Sequence, residues 1–137
     1  MARVARRCLI LTWEEPFASP SWLTRDYFTE ILAYDRTVFP PASYYGALLK
    51  NVVVRPVLIP HDCTDGFLEA YWRRPESYFD PRARLAISSF ARLADVDSGL
   101  TALRRDLDDG TWARRNETLM NETELDLGYR LVMGEKA

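Results

Sequence analysis

This chain of 137 residues lacks the usual means of holding a phosphate-bearing or nucleotide-like cofactor. Its six glycines are scattered and no two form a G-x-G group, so there is no glycine-rich turn to bring backbone N–H groups onto a ligand at a helix start. It has one histidine, His61, and no C-x-x-C pair. A metal centre needs more corners than His61, Asp62, Cys63 and Asp65 supply from nearly adjacent positions, so no metal site is expected. Two cysteines, Cys8 and Cys63, make no disulfide framework; Cys8 opens an apolar run and reads as a buried reduced thiol. A Cys63–His61 nucleophilic pair lacks an orienting partner. Neither charge sign dominates: the formal net charge is -2 and the signs are interspersed, which leaves no electrostatic footprint for nucleic acid. No stretch is long enough to span a bilayer. The opening MARVARR-CLILTW imitates a secretory leader, but its apolar part is short and ends at Glu14 and Glu15 without a small-residue cleavage site. The cytoplasm is the expected compartment.

What is present describes a soluble globular chain, 47% hydrophobic and 28% charged, long enough for one core and short for two. Residues 1–137 are taken as a single domain. Met1, Val4 and Ala5 share one helical face, as in the last turns of an amphipathic helix. Cys8 to Trp13 is a continuous apolar run, the pattern of a strand covered on both faces. Trp22, Leu23, Tyr27, Ile31 and Leu32 recur at helical spacing, with Ser21 placed to cap them. Pro40 and Pro41 close that segment, and a short helix is predicted over Ala42 to Leu49. Val52 to Ile59 reads as a strand that Pro56 confines to a sheet edge or a bulge. Further helices are predicted over Phe67–Arg73, Pro81–Ala94 and Asp97–Asp108. Leu125 to Met133 alternates with period two, a strand signal.

Three segments in this order, MARVARRCLILTW, NVVVRPVLIPHDCTDGFLEAYWRRPESYFDP and ELDLGYRLVMG, resemble the C-terminal, substrate-side half of a bacterial class I S-adenosylmethionine-dependent methyltransferase of the type 11-like kind. The long run HDCTDGF followed by AYWRRP carries most of the likeness. The resemblance implies an α/β fold: a partial Rossmann-like sheet of the fifth, sixth and seventh strands, with a helical insertion between the last two. The seventh strand would lie antiparallel between the others, an uneasy place for Asp126 and Arg130. It also implies S-adenosylmethionine as cofactor, yet no residue here matches the motif that binds it, so methyl transfer by this chain alone is not expected. In the order five, seven, six, the Cys8–Trp13 strand is left as an unpaired edge. A second copy, or a complementing N-terminal half, is the expected partner there; a truncated reading frame is the plainer account.

In open α/β sheets ligands gather beyond the carboxyl ends of the parallel strands. That places Trp13 and Glu14 near His61, Asp62 and Asp65 across one cleft. His61 is then a candidate general base, with Asp62 orienting it and Asp65 binding a polar substrate group; alternatively His61 closes the strand and the acids cap the next helix. Tyr71, Trp72 and Arg73 offer an aromatic wall with a cationic rim, unless Trp72 is buried and the arginines face solvent. The leading expectation is a small-molecule-binding half of a methyltransferase. The alternatives are a cofactor-free cyclase or isomerase using His61, and a non-catalytic dimerising pseudo-methyltransferase.

Overall fold

A computed structural model describes residues 6–16 and 21–136. The helical face expected at Met1, Val4 and Ala5 lies outside them. Three strands, β1 (Arg7–Trp13), β2 (Leu49–Pro60) and β3 (Glu124–Lys136), form one sheet in the order β1-β3-β2. Both outer strands run antiparallel to β3, with Leu9 opposite Met133 on one side and Val53 opposite Met133 on the other. The expected strand order is therefore observed, and β1 and β2 end at the same side of the sheet. Pro56 sits on an edge strand and beside a bulge, since the register shifts between Pro56 and Leu58. Both outcomes follow from its missing N–H.

The expectation that β1 is covered on both faces is corrected. Cys8 and Thr12 are buried, but Leu9 and Leu11 are 64% and 65% exposed. Cross-strand neighbours share a face, so Leu9, Met133 and Val53 form one rung of an uncovered apolar surface. The opposite face is closed by α2 (Ser43–Gly46), whose Tyr45 hydroxyl lies 3.1 Å from Thr12 Oγ1. The charges on β3 are also accounted for. Arg130 pairs with Asp126 at 2.7 Å and with Glu14 at 3.8 Å, so the central strand carries its guanidinium between two carboxylates.

The predicted helix from Trp22 is broken. A single wide turn, Leu23–Tyr27, gives way at Phe28 to α1 (Thr29–Val38). Ser21 does cap the start, its Oγ accepting from the Leu23 N–H at 3.2 Å. Phe67–Arg73 is a chain of turns and not a helix, because Glu69 takes a left-handed φ of 70°. Pro81–Ala94 likewise divides into α3 (Pro81–Leu85) and a 3-10 turn at Phe90–Arg92. Only α4 (Val96–Asp108), capped by Asp95 and followed by α5 (Thr111–Arg115) after Gly110, keeps its expected length.

These pieces build an aromatic core. Trp22 meets Tyr78 and Trp112 edge to face at 5.8 and 5.3 Å, and Phe28 meets Phe90 at 5.0 Å. Such pairs prefer this geometry because a positive ring edge faces a negative ring face. A smaller cluster of Ile59, Trp72 and Leu127 joins the core to the sheet. Trp72 bridges them directly: its indole N–H donates to the Ile59 carbonyl at 3.1 Å, and its own carbonyl accepts the Trp22 indole N–H at 2.8 Å.

At the β1–β3 junction Gly128 has a φ of +92°, and a Cβ there would lie 2.3 Å from the Glu14 carbonyl oxygen. Gly128→Ala is expected to cost about 3 kcal/mol of stability in urea or thermal unfolding. An unchanged midpoint would show that this junction relaxes freely.

Candidate functional site

Trp13 ends β1 and Tyr129 opposes it on β3. Beyond them lies a cavity of about 260 Å³, walled by Trp13, Phe39, Phe67, Leu68 and Tyr129 on the apolar side and by Tyr34, Asp35, Ser88 and Arg92 on the polar side. It occupies the carboxyl end of β1, where α/β folds hold their ligands. A larger concavity of about 710 Å³ lies on the outer face of α4, between Phe79 and alternating residues such as Asp97, Arg104 and Asp108. It is an open groove, and Arg104 already covers the Phe79 ring at 4.0 Å. The aromatic cavity is the more enclosed of the two and the better candidate.

Its walls are held by partly buried hydrogen bonds. The Trp13 indole N–H donates to the Leu127 carbonyl at 2.9 Å, and the Tyr129 hydroxyl donates to the Leu68 carbonyl at 2.7 Å. Phe67 meets the Tyr129 ring at 5.2 Å, and Phe39 meets Trp13 at 6.1 Å, both edge to face. Burial pushes the Tyr129 phenol far above its ordinary pKa, and the carboxyls of Glu69 and Asp35 add to the effect. Asp35 is only 7% exposed; its backbone carbonyl accepts from the Phe39 N–H at 2.9 Å, and no described residue donates to its carboxylate. Burial raises its pKa, opposed by the positive Arg92. Glu69 is 3% exposed, and its Oε1 accepts from Thr24 Oγ1 at 3.2 Å. Burial pushes its pKa up to about 8, against its bonds with Thr24 and Ser21, and the nearby Asp35 charge raises it further.

The residues singled out in the sequence divide. Trp13 lines the cavity. Glu14 turns instead to Arg130 and the Ala42 N–H. His61 and Asp62 occupy the turn after β2, where the His61 N–H donates to the Thr123 carbonyl at 3.0 Å. Asp65 is exposed. None of these three lines the cavity, which corrects the single cleft expected between them and Trp13. The reason is strand length. Trp13 pairs with Tyr129 but Pro60 pairs with Glu124, so β2 runs about five residues, or ~15 Å, farther along the sheet. Trp72 is fully buried, which corrects its placement in a substrate wall. Tyr71 packs on Tyr78 at 5.5 Å, and Arg73 donates to the Glu122 carbonyl at 2.9 Å. The Pro60–Tyr78 run does wall the cavity, but through Phe67 and Leu68.

Asp35, Tyr34, Arg92 and Tyr129 were not anticipated. Asp35 had a legible signal: it lies four residues after Ile31, on the buried stripe of α1, where an acid is out of place. Glu69 had a similar one, as the lone charge in FLEAYW.

A solved crystal structure of a proposed methyltransferase from an antibiotic biosynthesis pathway of Anabaena variabilis is similar to this chain. The TM-score is 0.82 at 38% sequence identity, covering 93% of this chain and 54% of that one. The fold is methyltransferase-like. The chain spans about half the length of that protein. No family model and no curated protein matches the sequence. Among the described residues no helix is long and apolar enough to cross a membrane.

A methyltransferase neighbour implies S-adenosylmethionine. The tightest glycines among the described residues are occupied by the protein itself: a Cβ on Gly99 would strike the Phe28 ring at 2.3 Å, and one on Gly128 would meet the Glu14 carbonyl oxygen at 2.3 Å, so neither leaves room for a ligand.

Glu69 yields a pH prediction. A carboxyl whose pKa is about 8 when folded and near 4.5 when unfolded holds a proton that the unfolded chain releases. Stability therefore falls as pH rises through that window, by up to about tenfold in the unfolding constant per pH unit. Glu69→Gln should abolish the slope, matching the parent near pH 5 and exceeding it near pH 8 in urea titrations. An unchanged slope would mean that another group carries it.

Proposed function

We propose that this chain forms the substrate-side portion of an S-adenosylmethionine-dependent methyltransferase acting on a small organic molecule. The observation that carries the reading is the likeness to the Anabaena protein, at 38% identity and a TM-score of 0.82 over 93% of the chain. The cavity beyond Trp13 is the substrate pocket in this reading. Its volume of about 260 Å³ accepts a body of about nine non-hydrogen atoms, at the ~30 Å³ that each water occupies in the liquid. Its aromatic walls exclude water and orient a ring, which is how such pockets contribute to rate.

The cofactor is held by residues other than those described, in the same polypeptide or in a partner. The uncovered rung of Leu9, Met133 and Val53, and the free edge of β1, suit that role. An apolar sheet face with unpaired backbone groups is a template for further strands and helices. When bound, S-adenosylmethionine would supply an electrophilic methyl group. The chain's own residues would bind the acceptor, exclude water and keep a carboxyl at Asp35 within the pocket.

Calorimetric titration with S-adenosylmethionine tests the division of labour. No saturable heat is expected from this chain alone. A chimera joining it to the part of the Anabaena protein that it does not match should bind the cofactor. Saturable binding by the isolated chain would overturn the assignment of the cofactor site to other residues.

A further inference from the structure

We propose that the cavity beyond Trp13 selects small organic amines, taking the ammonium group on Asp35 and the hydrocarbon or ring body against Trp13, Phe67 and Tyr129. This rests on the reading of that cavity as the substrate pocket and names the class of molecule it takes.

The argument starts from how the other buried acids are treated. Asp106, 4% exposed, receives the Tyr27 hydroxyl at 3.0 Å and ion pairs from Arg105 and Arg115 at 2.9 and 3.3 Å. Glu69 receives Thr24. Asp35 is buried almost as deeply, at 7% exposed, yet among the described residues only its backbone carbonyl accepts a hydrogen bond, from the Phe39 N–H at 2.9 Å, and none reaches its carboxylate. Its oxygens are not among the fully enclosed polar atoms left without a partner, which are Arg74 Nε, Tyr78 Oη and Trp112 Nε1, so they face open space, and a donor placed there would complete them. Asp35 also lines two neighbouring cavities, the one of about 260 Å³ and a second of about 170 Å³ that shares Tyr34, Ser89 and Arg92 with it. The unmet acceptor therefore borders space that a donor can enter.

The surroundings favour a cation over a neutral or anionic partner. Trp13, Tyr34, Phe39, Phe67 and Tyr129 bring five aromatic side chains to one small volume, and ring faces attract ammonium groups. The one arginine in the lining, Arg92, is exposed, and its guanidinium lies over the Tyr34 ring at 4.7 Å. It lowers the Asp35 pKa through space but makes no hydrogen bond to it, so the carboxylate keeps its acceptor positions open. An anionic ligand would have to sit against that carboxylate.

Three probes of about nine or ten non-hydrogen atoms, matched to the cavity by the space each water takes, separate the classes: 2-phenylethylamine, 2-phenylethanol and phenylacetate. Binding to the whole chain is read by tryptophan fluorescence and calorimetry at neutral pH. The amine should bind at least about tenfold more tightly than the alcohol, as expected for a charge-assisted contact in a dry site, and phenylacetate should bind weakest. Asp35→Asn should remove the preference for the amine while keeping the affinity for the alcohol. If the alcohol or phenylacetate binds as well as the amine, the amine assignment is overturned and the pocket reading stands. If no probe binds, the cavity is not a ligand pocket and both fall. The comparison among probes on the unaltered chain decides the matter even if Asp35→Asn fails to fold.

Discussion

Two indole hydrogen bonds in series hold the molecule together. Trp22 donates to the backbone of Trp72, and Trp72 donates to the backbone of Ile59. The helical core is built around Trp22, and Ile59 belongs to β2, so the relay is a polar link between the two layers. Each indole is almost completely buried, and a buried N–H without a partner would cost roughly 1–3 kcal/mol. The relay therefore fixes where the Pro60–Tyr78 segment runs as well as how firmly it is held. With Trp72 pinned, Phe67 and Leu68 are delivered to Tyr129 on β3, opposite the end of β1.

That placement creates the site. A three-stranded sheet with one long edge strand and one short one leaves a step at its carboxyl end, and the turns after β2 fold back over it. The step is filled by rings that touch edge to face, which leaves gaps between them. Into this apolar corner α1 brings Asp35 and the left-handed turn brings Glu69. Asp35 raises the pKa of Glu69, and the two acids together raise that of Tyr129. Such groups cluster at functional sites because chemistry needs them, whereas stability does not.

Much of the scaffold was legible in the sequence. Apolar runs and period-two alternation located all three strands, Pro56 marked the edge, and Ser21 and Asp97–Asp108 marked a cap and a helix. The failures share a cause. Helices were expected over Phe67–Arg73 and Pro81–Ala94, yet tertiary demands broke both. Trp72 must reach Ile59, and Ile87 and Phe90 must reach the aromatic core, which continuous helices do not allow. The candidate site was half legible for a related reason. The run Pro60–Tyr78 was recognised as a wall, but its most eye-catching polar residues, His61, Asp62 and Asp65, fall where β2 overshoots β1.

By itself the sequence determined the elements, the order in which they come and the chemical character of each face, because periodicity and turn chemistry are local. It also carried the likeness to a methyltransferase, which the Anabaena structure supports for the fold. Only the tertiary structure decided which side chains share a cavity. That depends on relative strand lengths, a bulge at Pro56 and one pair of indole hydrogen bonds, all set by packing between residues tens of positions apart. Asp35 gained its place beside Trp13 and Tyr129 through those long-range contacts, and no local pattern could have put them together.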